Sequence, residues 1–140
     1  MKDRLTRWFS GFNVFLIRTS NGKVGSQLGT QSILILHTQG CRSGAARTIP
    51  VAYFDFEGKY LLVASNWGRR KQADWLLNLR THPQTRIDVK GESIGVNARE
   101  AQGQEYERLW QFVTLRHPQY LRYQRMALRQ IPIVILQPVK

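Results

Sequence analysis

The sequence has few of the residue types and runs on which several protein classes depend. It contains one cysteine, Cys41, which cannot form an internal disulfide and agrees with a reducing cytoplasm. Its apolar runs are short, such as Ile33–Leu36, and none approaches the length that spans a bilayer. The first residues lack the charged start, apolar core and cleavage site of a signal peptide. We therefore expect one cytoplasmic domain over residues 1–140.

Several signatures of catalysis and metal binding are also missing. The chain has neither a GxGxxG dinucleotide fingerprint nor a GxxxxGK[ST] phosphate loop. His37, His82 and His117 are scattered and form no cluster with metal-ligand spacing. The nine acidic residues do not favour a paired-carboxylate hydrolase. Ser43 is not part of a G-x-S-x-G nucleophile elbow. We therefore expect no metal site and no hydrolytic chemistry.

Basic residues dominate the charge. The chain has 21 Lys and Arg against nine Asp and Glu, which gives a formal net charge of +12. Such a surface attracts nucleic acid, acidic lipid or a phosphate-bearing small molecule, and charge alone does not choose among them. The arginines are spread along the chain without a recognised nucleic-acid-binding motif, so we do not expect a nucleic-acid partner.

Hydrophobic spacing predicts helices and short strands. Residues 1–20 contain apolar side chains at three- and four-residue intervals, typical of an amphipathic helix that packs on a core or touches a membrane surface. Strands are predicted at 32–39, 48–56, 60–65, 85–89, 93–101 and 132–137, and helices at 73–80, 104–116 and 119–129. Antiparallel hairpins with segregated helices indicate an α+β domain, with a barrel-like sheet and its helices over residues 32–137.

Two basic loops at the ends of neighbouring predicted strands are candidate anion sites. Loop 40–47 offers glycines, which let backbone N–H groups face a ligand, and two arginines, whose forked donors suit phosphate. Loop 66–72 contains Arg69, Arg70 and Lys71 and leads into a helix, whose N-terminus also favours anions. On spacing alone, a solvated basic turn explains loop 40–47 equally well. Convergence of both loops on one extended anion is the functional alternative.

Aromatic side chains near the last two predicted helices are a further candidate feature. Tyr120 and Tyr123 are three residues apart and share a helical face, and His117 lies close to them in sequence. Most such aromatic residues belong to a core. A phenol or imidazole that borders a pocket would instead bind a substrate oxygen or supply a proton.

Six motifs along the chain resemble one known family. They are LHTQGCRSG at 36–44, RTIPV at 47–51, VASNWG at 63–68, DWLLNL at 74–79, THP at 81–83 and RQIPIV at 129–134. In this order and spacing, residues 32–138 resemble the deazaflavin (F420)-dependent nitroreductases. The resemblance implies a split β-barrel related to FMN-binding reductases. It also implies F420 as cofactor and hydride transfer to a quinone or nitroaromatic acceptor.

The resemblance also implies roles for individual residues. The phosphate and glutamate tail of F420 would be held by Arg42, Ser43, Gly44 and Arg47. The deazaflavin would be lined by Pro50, Ala64, Ser65 and Asn66, and its side chain would be braced by Trp75 and Asn78. The acceptor would be oriented, and its protonation assisted, by Tyr120, Tyr123 or His117.

Four positions depart from the family pattern. Cys41 stands where the family loop usually has a basic residue, and Asn66 stands where a lysine is common. His117 and Ala52 occupy positions that can be tyrosine in members active on nitro compounds. These departures reshape the pocket and remove cationic contacts to the cofactor.

An F420-dependent quinone or nitro reductase is therefore the leading hypothesis, and two alternatives stay open. One is an FMN-dependent reductase of the same fold, because FMN has a single phosphate and no glutamate tail. The other is a non-catalytic protein that binds a flavin or deazaflavin. A homodimer, by analogy with related split barrels, and peripheral membrane contact through the N-terminal helix are two further hypotheses that the sequence leaves open.

Overall fold

The computed structural model describes residues 27–28 and 31–139, so the predicted N-terminal helix lies outside the described residues. The strands are β1 (Gln27–Leu28), β2 (Gln31–Gln39), β3 (Ala46–Phe56), β4 (Lys59–Val63), β5 (Gln84–Val89), β6 (Glu92–Glu100) and β7 (Ile133–Pro138). The helices are α1 (Asp74–Thr81), α2 (Gly103–Arg116) and α3 (Gln119–Ala127), and a 3-10 turn covers Asn66–Gly68.

Six of these strands form a closed antiparallel barrel. Their order is β2-β3-β4-β7-β6-β5, and β5 returns to pair with β2, where Leu36 lies opposite Ile87. The short β1 pairs with the start of β2, with Leu28 opposite Gln31. The predicted α+β split-barrel architecture is confirmed.

Two tight turns explain the two hairpins. The β3–β4 turn has Glu57 and Gly58 at φ 52° and 77°, and the β5–β6 turn has Lys90 and Gly91 at φ 50° and 83°. Two successive left-handed residues are typical of the two-residue turns whose twist matches that of the flanking strands. In both turns the second residue is a glycine, which adopts this conformation without strain.

The barrel opens where β3 separates from β4. β3 pairs with β2 over residues 46–53, but it pairs with β4 only over residues 54–56. Within the described part of the chain, the outer edge of residues 46–53 therefore has no second strand partner. Pro50 lies on this stretch, and its missing N–H agrees with a free edge. β4 ends at Val63, and residues 64–73 form no strand pairing with β3, so a gap lies between them.

Two apolar clusters, one on each side of β7, hold the helices to the barrel. Ile133–Leu136 is buried on both faces because successive strand side chains point in opposite directions. Val134 and Leu136 join the cluster that also contains Leu76 and Leu79 of α1. Ile133 and Ile135 join the cluster that contains side chains of α2 and α3.

Two elements end two residues earlier than the sequence pattern predicts. β4 ends at Val63 instead of residue 65, and α3 ends at Ala127 instead of residue 129. Leu128 terminates α3 because it adopts the left-handed conformation, with φ 55°. Arg129 therefore leaves the helix and its side chain points back toward the segment after β4. No helix among the described residues is long and apolar enough to span a membrane.

Candidate active site

A cleft of about 340 Å³ occupies the gap between β3 and the segment after β4. One wall is Ile49–Ala52, on the free edge of β3. The facing wall is formed by Val63, Ser65, Asn66, Trp67, Arg69 and residues 71–75. The cleft is also lined by Gln31 of β2 and by Gln119, Tyr120 and Tyr123 of α3.

The wall after β4 has an unusual backbone conformation. Asn66, Trp67 and Gly68 are successive left-handed residues, with φ 48°, 61° and 79°. Each non-glycine residue in this conformation costs roughly 1–2 kcal/mol, so the turn needs support from its surroundings. Part of that support is local, because the Asn66 side-chain nitrogen donates to the carbonyl oxygen of Lys71 at 2.9 Å.

Gly68 is the position at which this turn meets α3. A Cβ atom at Gly68 would lie 3.1 Å from Cβ of Met126 and 3.3 Å from Cα of Tyr123. The close approach and the positive φ both require glycine here. Trp67 remains 70% exposed and packs edge-to-face against Tyr123, with ring centres 6.5 Å apart.

The cleft has one apolar wall and one cationic wall. Arg69 and Lys71 are exposed on the second wall, and the described residues pair neither of them with a carboxylate. Asp74 contributes a carboxylate to the cleft from the first turn of α1. The balance at this wall therefore favours an anionic ligand.

Tyr120 is a buried, hydrogen-bonded polar group on the α3 side of the cleft. It is 7% exposed, and the side-chain nitrogen of Gln31 donates to its phenolic oxygen at 2.7 Å. Burial raises the pKa of Tyr120, although the Gln31 hydrogen bond opposes the shift, so the phenol is neutral at physiological pH. Since the oxygen accepts from Gln31, its own proton is free to be donated to a ligand in the cleft.

His117 lies behind Tyr120 and does not line the cleft. Its ring centre is 6.4 Å from that of Tyr120 and 5.2 Å from that of Phe54, both in edge-to-face geometry. Burial lowers its pKa, which favours the neutral imidazole. The structure thus brings Tyr120 and Tyr123 to the cleft and leaves His117 in a neighbouring hollow.

The basic loop between β2 and β3 lies beyond one end of the cleft. Arg42, Ser43, Gly44 and Arg47 are exposed and are not among the cleft-lining residues. Arg47 is two residues from Ile49 on β3, a distance of about 7 Å along a strand. The arginines of this loop therefore lie beyond the end of the β3 wall and are not part of the cleft lining.

Asn78 of α1 links this loop and the end of β2 to the helix through two hydrogen bonds. Its side-chain oxygen accepts from the backbone N–H of Cys41 at 3.0 Å, and its side-chain nitrogen donates to Oγ1 of Thr38 at 3.2 Å. Asn78 is 8% exposed and follows Asp74 by one helical turn, about 6 Å. The loop is thereby held one turn along the helix whose first turn lines the cleft.

The remaining predicted cofactor residues fall into two groups, those that line the cleft and one that is buried behind its lining. Pro50, Ser65, Asn66 and Trp75 line the cleft. Ala64 is fully buried, and its carbonyl oxygen accepts from Arg129. Sequence reasoning missed the contributions of Gln31, Gln72, Asp74 and Gln119. Gln119 adjoins Tyr120 in sequence, but no sequence signal links Gln31 to the aromatic helix.

A family model described as F420H(2)-dependent quinone reductase matches residues 10–138. Two F420H(2)-dependent quinone reductases of Mycobacterium tuberculosis are each 34% identical to this chain over 125 residues, which is 86% of this chain and 84% of each relative. The solved structure of an F420-H2-dependent reductase, FDR-A, has a TM-score of 0.68 at 31% identity and covers 75% of this chain and 93% of its own.

A second solved structure, described as a domain-swapped dimer, has a TM-score of 0.71 at 27% identity and covers 93% of this chain and 97% of its own. The family match confirms the resemblance, the oxidoreductase class and the F420 cofactor expected from the sequence. The chain belongs to the F420H(2)-dependent quinone reductase family.

Proposed function

We propose that this cleft is where the chain binds F420 and a quinone-type acceptor, with hydride supplied by the reduced deazaflavin. The observation that carries the proposal is the asymmetry of the cleft. A free strand edge with apolar side chains faces a cationic segment, and exposed arginines of loop 40–47 lie beyond the end of the strand edge. This combination suits a flat heterocycle joined to an anionic tail.

The residues present fit F420 at both ends. On the β3 wall, Ile49 and Val51 provide apolar contact for a ring, and the free backbone groups of the edge are available to its polar rim. The cationic groups that line the cleft are Arg69 and Lys71, and the exposed Arg42 lies outside the lining on the β2–β3 loop. Since guanidinium groups bind phosphate and carboxylate through paired N–H donors, this series suits a phosphate followed by a glutamate tail.

Individual cofactor contacts follow from this placement. Pro50, Ser65, Asn66 and Trp75 contact the ring system and its side chain. Ala64 is fully buried, and its backbone groups bond to Pro132 and Arg129 rather than to the ligand. The phosphate and tail contact Arg42, Ser43, Gly44 and Arg47. Asn78 acts by holding the loop of Arg42 against α1.

Tyr120 is the residue that orients the acceptor. Its phenol is fixed by Gln31, buried and neutral, so it donates a hydrogen bond to a quinone oxygen as negative charge develops there. Tyr123 borders the same space through its contacts with Trp67 and Tyr120. His117 supports Tyr120 by packing and does not touch the acceptor.

Two properties of the whole protein belong to the same proposal. A homodimer is supported by the likeness to a chain described as a domain-swapped dimer, and light scattering of the purified protein tests it. Membrane contact is supported by the exposed apolar side chains of Trp67, on the cleft, and of Met126, beside Gly68, in addition to the predicted N-terminal helix. Flotation with anionic vesicles tests that contact.

The function is tested by titrating the protein with F420 and with FMN, then supplying the reduced cofactor and menadione. We expect F420 to bind and menadione to be reduced. Failure of both cofactors to bind would refute the proposal. If only FMN binds, the assignment as a reductase stands and the assigned cofactor changes from F420 to FMN. Binding of F420 without turnover across several quinones and nitroaromatic compounds would instead identify a cofactor-binding protein.

A further inference from the structure

Arg129 does not line the cleft, yet all three nitrogens of its guanidinium contact the segment that does. The acceptors are the carbonyl oxygen of Arg69 (3.2 Å from Nε), Oε1 of Gln72 (2.9 Å from Nη1), and the carbonyl oxygens of Lys71, Ser65 and Ala64 (3.2, 3.3 and 3.4 Å from Nη2). One side chain thus joins both ends of the segment 64–72.

The charge of Arg129 is compensated by these carbonyl dipoles. The side chain is half-buried, and no carboxylate among residues 31–139 forms an ion pair with it. Burial lowers the pKa of Arg129, in agreement with a cation removed from water. A planar fork with five N–H donors reaches acceptors at both ends of the segment, whereas the single ammonium group of a lysine does not.

The segment needs such a cation because its carbonyl groups converge. The oxygens of Ala64, Ser65 and Lys71 all lie within 3.5 Å of the same guanidinium, so without it their dipoles would repel one another. The same segment contains Asn66 and Trp67 in the left-handed conformation. Arg129 therefore supports a strained turn that places cleft-lining side chains.

The other end of Arg129 is fixed to α3. Leu128 ends the helix in a left-handed conformation, which turns the chain back toward the cleft. The side chain of Gln124 donates to the carbonyl oxygen of Arg129 and accepts from the backbone N–H of Ile131 at 2.9 Å. α3 also carries Tyr120, so Arg129 links the segment of one wall to the helix of another.

We propose that Arg129 is a positioning residue that sets the separation between segment 64–72 and α3, and thereby the shape in which the cleft receives cofactor and acceptor. The inference rests on the proposed function in one respect, namely that F420 binds in this cleft. Arg129 contacts neither ligand and acts through the backbone of the segment.

The test compares Arg129→Ala and Arg129→Lys with Arg125→Ala, which removes an exposed arginine from the last turn of the same helix. We expect the Kd for F420 to rise about tenfold or more in Arg129→Ala, because several charge-assisted hydrogen bonds hold the segment. Arg129→Lys retains the charge without the fork, so its Kd should also rise. Arg125→Ala should bind F420 as the unchanged protein does.

Chemical rescue separates positioning from general stability. Guanidinium chloride at tens of millimolar should restore F420 binding in Arg129→Ala to within about threefold of the unchanged protein, since the free cation replaces the missing group. The same salt should not improve the unchanged protein or Arg125→Ala. An unchanged Kd in folded Arg129→Ala or Arg129→Lys would overturn the proposal, and so would the absence of rescue.

Hydrogen exchange of the backbone amides in residues 65–72 provides a readout that does not depend on F420. Faster exchange in Arg129→Ala, reversed by guanidinium, supports the positioning role even if the unchanged protein fails to bind F420. If the amides of Arg129→Ala exchange at the same rate as those of Arg125→Ala, the positioning role is refuted, whether or not F420 binds. If Arg129→Ala does not fold, Arg129→Lys decides the outcome by the same exchange measurement and its F420 affinity.

Discussion

The side-chain nitrogen of Gln31 donates a 2.7 Å hydrogen bond to the phenolic oxygen of Tyr120, which connects the first residue of β2 to α3. Both residues line the cleft. Because the amide nitrogen is a donor, the phenol is left to donate its own proton elsewhere. The pair therefore presents an oriented hydrogen-bond donor to the space where an acceptor would lie.

Tyr120→Phe removes that donor with little change of shape. We expect kcat/KM for menadione to fall about tenfold or more, because one hydrogen bond to developing charge is lost, while the Kd for F420 stays unchanged. Steady-state assays and a separate F420 titration measure the two quantities. Equal kcat/KM in the variant and the unchanged protein would remove Tyr120 from the acceptor site.

Tyr106→Phe is the matched control. The hydroxyl of Tyr106 donates to the carbonyl oxygen of Ile131 at 2.6 Å in a buried position away from the cleft, and burial raises its pKa to about 12. Loss of this bond leaves the buried carbonyl unpaired, which should lower the free energy of unfolding by about 1–3 kcal/mol. We expect kcat and KM to remain unchanged at temperatures where the variant is folded.

Gly68→Ala should destabilise the protein through two separate effects. The new Cβ would crowd Met126 and the backbone of Tyr123, and φ 79° is unfavourable for alanine. Gly58→Ala isolates the second effect, since Gly58 has φ 77° in the β3–β4 turn and no atom lies within 4 Å of the place its methyl group would occupy. We expect unfolding free energies lower by about 1 kcal/mol for Gly58→Ala and about 2–4 kcal/mol for Gly68→Ala.

Urea unfolding measures both variants. Adding Met126→Ala to Gly68→Ala should recover part of the loss, because it removes Sδ and the other side-chain atoms beyond Cβ. Equal losses for Gly58→Ala and Gly68→Ala would show that the contact with α3 does not constrain the turn.

The turn at Asn66–Gly68 also shows where prediction from sequence stops. Composition identifies residues 66–72 as a basic loop before a helix, and local signals predict the two hairpins through Gly58 and Gly91. The left-handed conformation of Trp67 has no such local signal, and the side chains that contact its neighbours, Met126 at Gly68 and Arg129 at Arg69, are distant in sequence. Chain folding brings these residues together, and periodicity within one segment carries no information about it.

The same distinction applies to the cleft. The resemblance to a family supplied Pro50, Ser65 and Tyr120, and the structure places all three at one cleft. Gln31 is a polar residue at the start of an apolar strand, and nothing in its neighbourhood indicates a tyrosine partner. Its role follows from the pairing of β2 within the barrel, which sequence patterns do not specify.

Arg42→Ala and Arg47→Ala test whether the cationic series extends beyond the cleft. Each should raise the Kd for F420 by about threefold to tenfold and should reduce its salt dependence, because an exposed charge contact to the tail is lost. The Kd for FMN should change less, since FMN has no glutamate tail. Arg108→Ala, an exposed arginine on α2, lowers the net charge by the same amount and should leave both affinities unchanged. Equal losses for F420 and FMN would assign these arginines to the phosphate alone and contradict their contact with the tail.

The lowered pKa of His117 predicts that the free energy of unfolding depends on pH, whereas the chemical step does not depend on this residue. Burial holds its pKa below the ordinary value of 6.5, so in the range just below that value the unfolded chain binds more protons than the folded one. The contribution of His117 to stability is therefore complete above about pH 6.5 and decreases as the pH falls toward the folded-state pKa. His117→Gln removes this group, and Gln119 beside it is retained. The unfolding free energy of the unchanged protein should fall more steeply between about pH 7 and 5 than that of His117→Gln.

Because His117 does not line the cleft, the kcat of His117→Gln above pH 7 should stay within about twofold of that of the unchanged protein. A large loss of kcat at unchanged stability would instead make His117 the proton donor.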